Sequence, residues 1–170
     1  MNTQSCLWCQ VIYQLSHELC HLLVGVHIPH QHLWFEESIC EVSSQFFLHK
    51  LTEDWINTGI DLTDTRGELY APLFKEYAIS ESKNFVAFDI SKLLNSGSTI
   101  YKEIQLTGIN RELNKNIANN LLPMFFENPK LWTAVHSLGK ATFYSDFSFF
   151  LQSWLEVSPA DCRESVLMII

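Results

Sequence analysis

The sequence predicts a mainly α-helical fold with little or no β-sheet, and three observations predict it. Apolar residues recur at three- and four-residue steps over long stretches. Glycine and proline are scarce, 6 and 5 of 170 residues, which favours long helices joined by short turns. Hydrophobic residues make up 47% of the chain and charged residues 18%, a composition that folds around a core rather than staying disordered. The length suits one domain, read as residues 1–170 with a helix pair over 1–56 and a helical remainder over 57–170.

The first helix is expected from about Ser5 to Val24, where Leu7, Val11, Leu15, Leu19, Leu22 and Leu23 keep the helical step and Gly25 is a stop. Val26 to Leu33 contains His27, Pro29, His30 and His32 and reads as a crossing loop. The second helix runs from Trp34 to about Trp55 on a stripe of Phe35, Ile39, Val42, Phe46 and Leu51. Asn57 to Gly67 is polar and turn-rich. Glu68 to Ser80 reads as helix, with Pro72 tolerated in the first turn. The segment 84–90, NFVAFDI, reads either as a short strand or as an extended lead into a helix capped near Asp89. Thr99 to Asn128 forms one long helix or one broken near Gly108. Pro129 to Leu138 is a short helix, Asp146 caps another that runs to Glu156, and a last one starts at Ser158-Pro159.

Charge excludes some functions. The chain carries 11 basic and 19 acidic residues, a formal net charge of −8. Nucleic-acid binding needs a basic footprint, and an anionic membrane surface repels such a chain. No apolar run approaches the roughly 20 residues of a membrane span, and the N-terminus lacks the basic region and cleavage site of a secretory signal. The 5 cysteines form no disulfide framework. These features together predict a reducing, cytoplasmic setting.

The segment that carries chemistry is His17-Glu18-Leu19-Cys20-His21, an H-E-x-x-H inside a predicted helix. A spacing of four puts both imidazoles on one face, where both reach one Zn²⁺. Glu18, one residue on, is placed to take a proton from a water that the metal acidifies. A catalytic zinc site needs a third protein ligand. The next helix offers Glu37 and Glu41, four apart on one face. A tight reversal into an antiparallel helix brings that face onto His17 and His21.

At these residues the chain resembles the gluzincin metallopeptidases, the thermolysin-like and aminopeptidase-like zincins, over about residues 10–48. Their pattern is H-E-x-x-H followed by a second helix with N-E-x-x-x-D/E. Glu36 stands here where that pattern has Asn. The resemblance implies a helical zincin-like domain with Zn²⁺ held by His17, His21 and Glu37. It also implies Glu18 as general base, and Glu41 as the acid that orients an imidazole, expected to be that of His17. It implies a peptide or protein substrate. The family places β-strands before the H-E-x-x-H helix, and its edge strand binds the substrate backbone by strand addition. Only 16 residues precede His17, so the chain is N-terminally shortened, or a partner supplies the missing strand, or the site is structural. Tyr70, Tyr77 and His136 are candidates for the donor to the transition state.

Other features read more simply. Cys6 and Cys9 form a C-x-x-C at a helix start without the βαβ context of a redox pair. His27, His30 and His32 read as exposed turn residues rather than a second metal site or a substitute for Glu37. Cys20 and Cys40 lie near the proposed centre, and a buried thiol is the simpler reading than a thiolate ligand. The aromatic residues of the C-terminal half read as core, and Asn110 to Asn120 as a solvated helix face. The expected function is a zinc metallopeptidase. A non-catalytic helical interaction or regulatory module that retains the zinc clip is the alternative. A third reading is a relative of the regulatory metalloproteases of phage and mobile elements, whose usual E-x-x-A-N-x-F-A continuation is poorly matched by Glu37 to Phe47.

Overall fold

Helix α2, Leu33–Thr58, is the spine against which three other helices pack extensively in the computed structural model, which describes residues 7–25, 28, 30–83, 86, 99–107, 110–142 and 146–170. Along with α2, the described residues form α1 (Leu7–Val24), α3 (Tyr70–Glu81), α4 (Thr99–Thr107), α5 (Arg111–Glu127), α6 (Leu131–Val135), α7 (Phe147–Val157) and α8 (Arg163–Leu167). Two 3-10 turns join them, His30–His32 and Leu138–Lys140. No strand occurs among the described residues; the nearest approach is one isolated antiparallel bridge, Thr63 to Leu69. The fold is therefore mainly α, as the helical spacing predicts.

Contacts between α1 and α2 set their direction. Tyr13 meets Glu41 and Ser44, Ser16 meets Ser43, and His21 meets Glu36. Residue numbers rise on one helix as they fall on the other, so the pair is antiparallel. Two serine hydroxyls pin the register: Ser43 donates to the Ser16 carbonyl and Ser44 to the Tyr13 carbonyl, each at 2.9 Å. Both helices end on a left-handed glycine. Gly25 (φ +82°) closes α1 with its N–H on the His21 carbonyl. Gly59 (φ +67°) closes α2 in a Schellman arrangement, with Ile60 N–H reaching back to the Trp55 carbonyl at 2.9 Å.

The main core gathers on the far side of α2. Trp34 and Phe35 pack edge-on and tilted against Phe147, Phe150 and Trp154 of α7. Ile117, Leu121 and Phe125 of α5 complete it. A smaller cluster of Cys9, Tyr13, Leu48, Phe74 and Ala78 joins α1, α2 and α3.

Several boundaries differ from the spacing-based expectation, each for a local reason. Helix α3 starts at Tyr70 rather than Glu68, because the Asp64 carboxylate accepts from the N–H groups of Arg66 and Glu68 and folds that stretch into a closed turn. The stretch 99–128 divides into α4 and α5, with Asn110 capping α5 by accepting the Leu113 N–H at 3.2 Å. The expected Pro129–Leu138 helix is only Leu131–Val135 followed by a 3-10 turn, and the last helix starts at Arg163, not at Ser158. Asp146 caps α7 as expected. Most of the 84–90 segment lies outside the described residues. Val86 is described: its backbone bonds the side chains of Asn116 and Asn120. Those two asparagines, and the buried Asn114, correct the reading of that face as merely solvated.

The largest difference concerns α1. Its leucine-rich stripe faces outward: Leu7, Val11, Leu15, Leu19 and Leu22 are exposed, Leu22 by 75%. The residues buried against the rest are Cys9, Tyr13, Ser16, Cys20 and Val24. Periodicity identified the helix and not the side that packs, because α2 presents serines and glutamates to α1.

Candidate metal centre

His17 and His21 stand one turn apart on α1, on the border between its face packed on α2 and its open face. Their ring centroids are 5.0 Å apart. Glu37, on the first turns of α2, reaches between them. One of its oxygens lies 3.4 Å from His17 Nε2 and the other 3.6 Å from His21 Nε2. Such separations are long for hydrogen bonds, which cluster at 2.7–3.2 Å. Each taken singly is close to the ligand-to-ligand edge of a tetrahedral zinc, about 3.4 Å for arms of about 2.0–2.1 Å, the two being measured to different Glu37 oxygens. All three side chains are mostly covered.

Behind His21 sits Glu36, fully buried. Its Oε1 is 2.7 Å from His21 Nδ1, and its Oε2 accepts the Ile28 N–H at 3.1 Å. A carboxylate accepts, so Nδ1 is the donor in this contact, and Nε2 faces Glu37 at 3.6 Å. The bond to Glu36 raises the pKa of His21 above its ordinary value, against the opposing pull of burial. The residue that departs from the gluzincin pattern thus has a part at the site: it holds an imidazole with a full carboxylate.

Glu41 does not take the partner expected for it. Its carboxylate accepts from the Tyr13 hydroxyl rather than from His17, because Tyr13, one turn before His17 on the same face, has the reach to fill the space above Glu41. Burial, then the Glu41 charge, push the Tyr13 pKa far up, so the phenol remains a donor. Tyr77 packs edge-on against Tyr13 at 5.8 Å, and burial raises its pKa to about 12. Tyr13→Phe should therefore cost about 1–3 kcal/mol by leaving the buried Glu41 without that donor, while zinc affinity holds. Urea unfolding and zinc titration of the one variant read the two effects separately.

Glu18 is exposed and receives a 2.6 Å hydrogen bond from Gln14. Under the site lies Cys40, fully buried. The neighbouring Cys20 thiol, then burial, push its thiol far above the ordinary range. Ligand atoms of His17, His21 and Cys40 lie within 4.8 Å of one another.

The remaining candidates are dispersed. His32 is fully buried among Phe147 and Phe150, not at a turn surface, because the 3-10 turn directs it into the core. His27, the His30 side chain and Cys6 lie outside the described residues. Tyr70 stacks on Phe74 beside Trp55. His136 is exposed and bonds the Leu23 carbonyl at 3.0 Å, near the C-terminal end of α1. An open polar cleft of about 870 Å³ between α3, α4 and α5 is lined by Glu81, Arg111 and Lys115 but by none of His17, His21 and Glu37.

Glu36 and Tyr13 are the site residues that motif reading missed. Tyr13 had a signal, since it lies four residues before His17 on the same helical face. Comparison with protein-family models, curated proteins and solved structures finds no match for this chain.

Proposed function

We propose that this chain is a zinc-dependent metallopeptidase of gluzincin type that acts on peptide or protein substrates in the cytoplasm. The observation that carries the reading is the Glu37 carboxylate, held off two imidazole nitrogens by 3.4 and 3.6 Å. The donor set fits the metal: two imidazoles and one carboxylate form a catalytic zinc set with an open position. The buried Glu36 carboxylate on His21 Nδ1 supports the fit, because zinc-bound histidines carry such partners. His17, His21 and Glu37 would hold the ion. Bound zinc supplies Lewis acidity for a carbonyl and for a water at neutral pH.

Glu18 then takes a proton from the attacking water and returns it to the leaving amine. Its exposure leaves it open to water, and Gln14 steadies one oxygen while the other stays available. Glu18 shares the outer face of α1 with Val11, Leu15 and Leu22, which stand seven and three residues before it and four after it. An extended strand supplied by a partner, laid over that apolar face, would bring a substrate backbone beside Glu18. Buried free thiols at Cys9, Cys20, Cys40 and Cys162 support a reducing compartment. No helix among the described residues is long and apolar enough to cross a membrane.

Glu18→Gln tests the reading. Hydrolysis of a broad peptide library should fall by about 10²–10⁴-fold, the usual share of a positioned acid–base group, with zinc content unchanged. Full activity in that variant would remove Glu18 from the mechanism. The alternative, a non-catalytic module that keeps the zinc clip, is supported by the same outward apolar face. Wild-type protein that binds zinc and cleaves nothing in the library would favour it.

A further inference from the structure

We propose that Cys40 is a fourth ligand that exchanges on and off the metal in the chain on its own, so that hydrolysis proceeds from the form in which it is off. The inference rests on the zinc site proposed above and deepens it, because it concerns how that site is held shut. Three observations carry it. Cys40 belongs to the same group as His17 and His21, with ligand atoms mutually within 4.8 Å. It follows Glu37 by three residues on α2, so both side chains project toward α1 from adjacent turns. Its sulfur is fully buried, so it stands under the metal position while Glu18 is exposed on the outer face of α1.

A tetrahedral zinc with a sulfur arm of about 2.3 Å and nitrogen arms of about 2.0–2.1 Å has sulfur-to-nitrogen edges of about 3.6 Å. One rotation of the Cys40 side chain between staggered wells moves the sulfur by about 3 Å, more than enough to close from 4.8 Å. Cys40 would then have two positions, one off the metal and one on it. In moving to the metal, Cys40 breaks its S–H bond, gives the proton to solvent and forms the sulfur–metal bond with the electron pair left behind. In the reverse step the sulfur–metal bond breaks, a proton returns to the sulfur and one coordination position opens.

Cobalt(II) in place of zinc reports the ligand directly, since a thiolate on cobalt gives an intense near-ultraviolet charge-transfer band that imidazole and carboxylate donors do not. Wild type and Cys20→Ser should show the band, and Cys40→Ser should bind cobalt without it. Cobalt bound by wild type with no such band, or a band that survives in Cys40→Ser, would overturn the fourth ligand and leave the two-histidine, one-glutamate site standing. Failure of wild type to bind cobalt or zinc at all would overturn both proposals. Circular dichroism checks the fold of each variant. Should Cys40→Ser misfold, Cys40→Ala takes its place, and an absent band in wild type still decides against the proposal.

Discussion

Zinc affinity should fall by more than 100-fold when His21 is replaced by alanine. The substitution removes one of the two imidazoles that face Glu37, and losing even an outer hydrogen-bond partner of a ligand typically costs 10–100-fold. A second effect accompanies it. Glu36 is fully buried and hydrogen-bonded to His21 Nδ1, so His21→Ala leaves a carboxylate in the interior without its imidazole. Breaking a buried pair in this way costs about 3–5 kcal/mol, which metal-free protein should show in urea unfolding. Competition with a chromogenic chelator measures the first effect. An unchanged zinc affinity would break the argument from Glu37 geometry, since a site that ignores His21 is not the one described.

Trp154→Ala should be the most damaging single change outside the metal centre, at about 3–5 kcal/mol. Trp154 is fully buried, donates its indole N–H to the Ala134 carbonyl at 2.8 Å and packs edge-on against Phe35 at 5.9 Å. Truncation opens a large cavity and removes one of the two donors to the Ala134 carbonyl, which keeps the Ser137 N–H at 2.9 Å. Domains have only about 5–15 kcal/mol of stability in all, so the denaturation midpoint should fall steeply with the slope unchanged. Phe35 immediately precedes Glu36 and Glu37, so the same cavity loosens the start of α2 and should weaken zinc as well. Trp154→Phe, which keeps most of the ring volume, should recover most of the loss.

Helix positions were legible because their spacing is a local property. The α1 and α2 assignments follow from single-turn periodicity, and the closeness of His17, His21 and Glu37 follows from two spaced motifs with a tight reversal between them. What stayed hidden depends on rotation and reach. The outward turn of Leu15, Leu19 and Leu22 could not be read from α1 alone, because it is the serines and glutamates of α2 that make the quieter face of α1 the buried one. Glu41 illustrates reach: register put a carboxylate near His17, but a tyrosine four residues earlier is longer and claims it. Glu36 shows a third limit. A charged residue is seldom fully buried without a partner, and nothing in its local sequence marks it for the interior; only the packing of Trp34 and Phe35 against α7 carries it there.

The two serine hydroxyls that bind α2 to the carbonyls of Ser16 and Tyr13 have a consequence for how a metal would arrive. They lock the sliding coordinate of the helix pair with polymer-internal bonds, one turn or less from His17. His17, His21 and Glu37 are then held in place by the helix pair itself. In small zinc modules the ion must organise the chain, and its binding energy is consumed in doing so, so that chelation melts them. A frame already fixed by serine and by an aromatic core spends almost nothing on that task. Loading of a metal on such a frame would be a docking event rather than a folding event: fast, reversible by chelators without loss of helicity, and permissive of exchange between metals whose preferred arm lengths are alike.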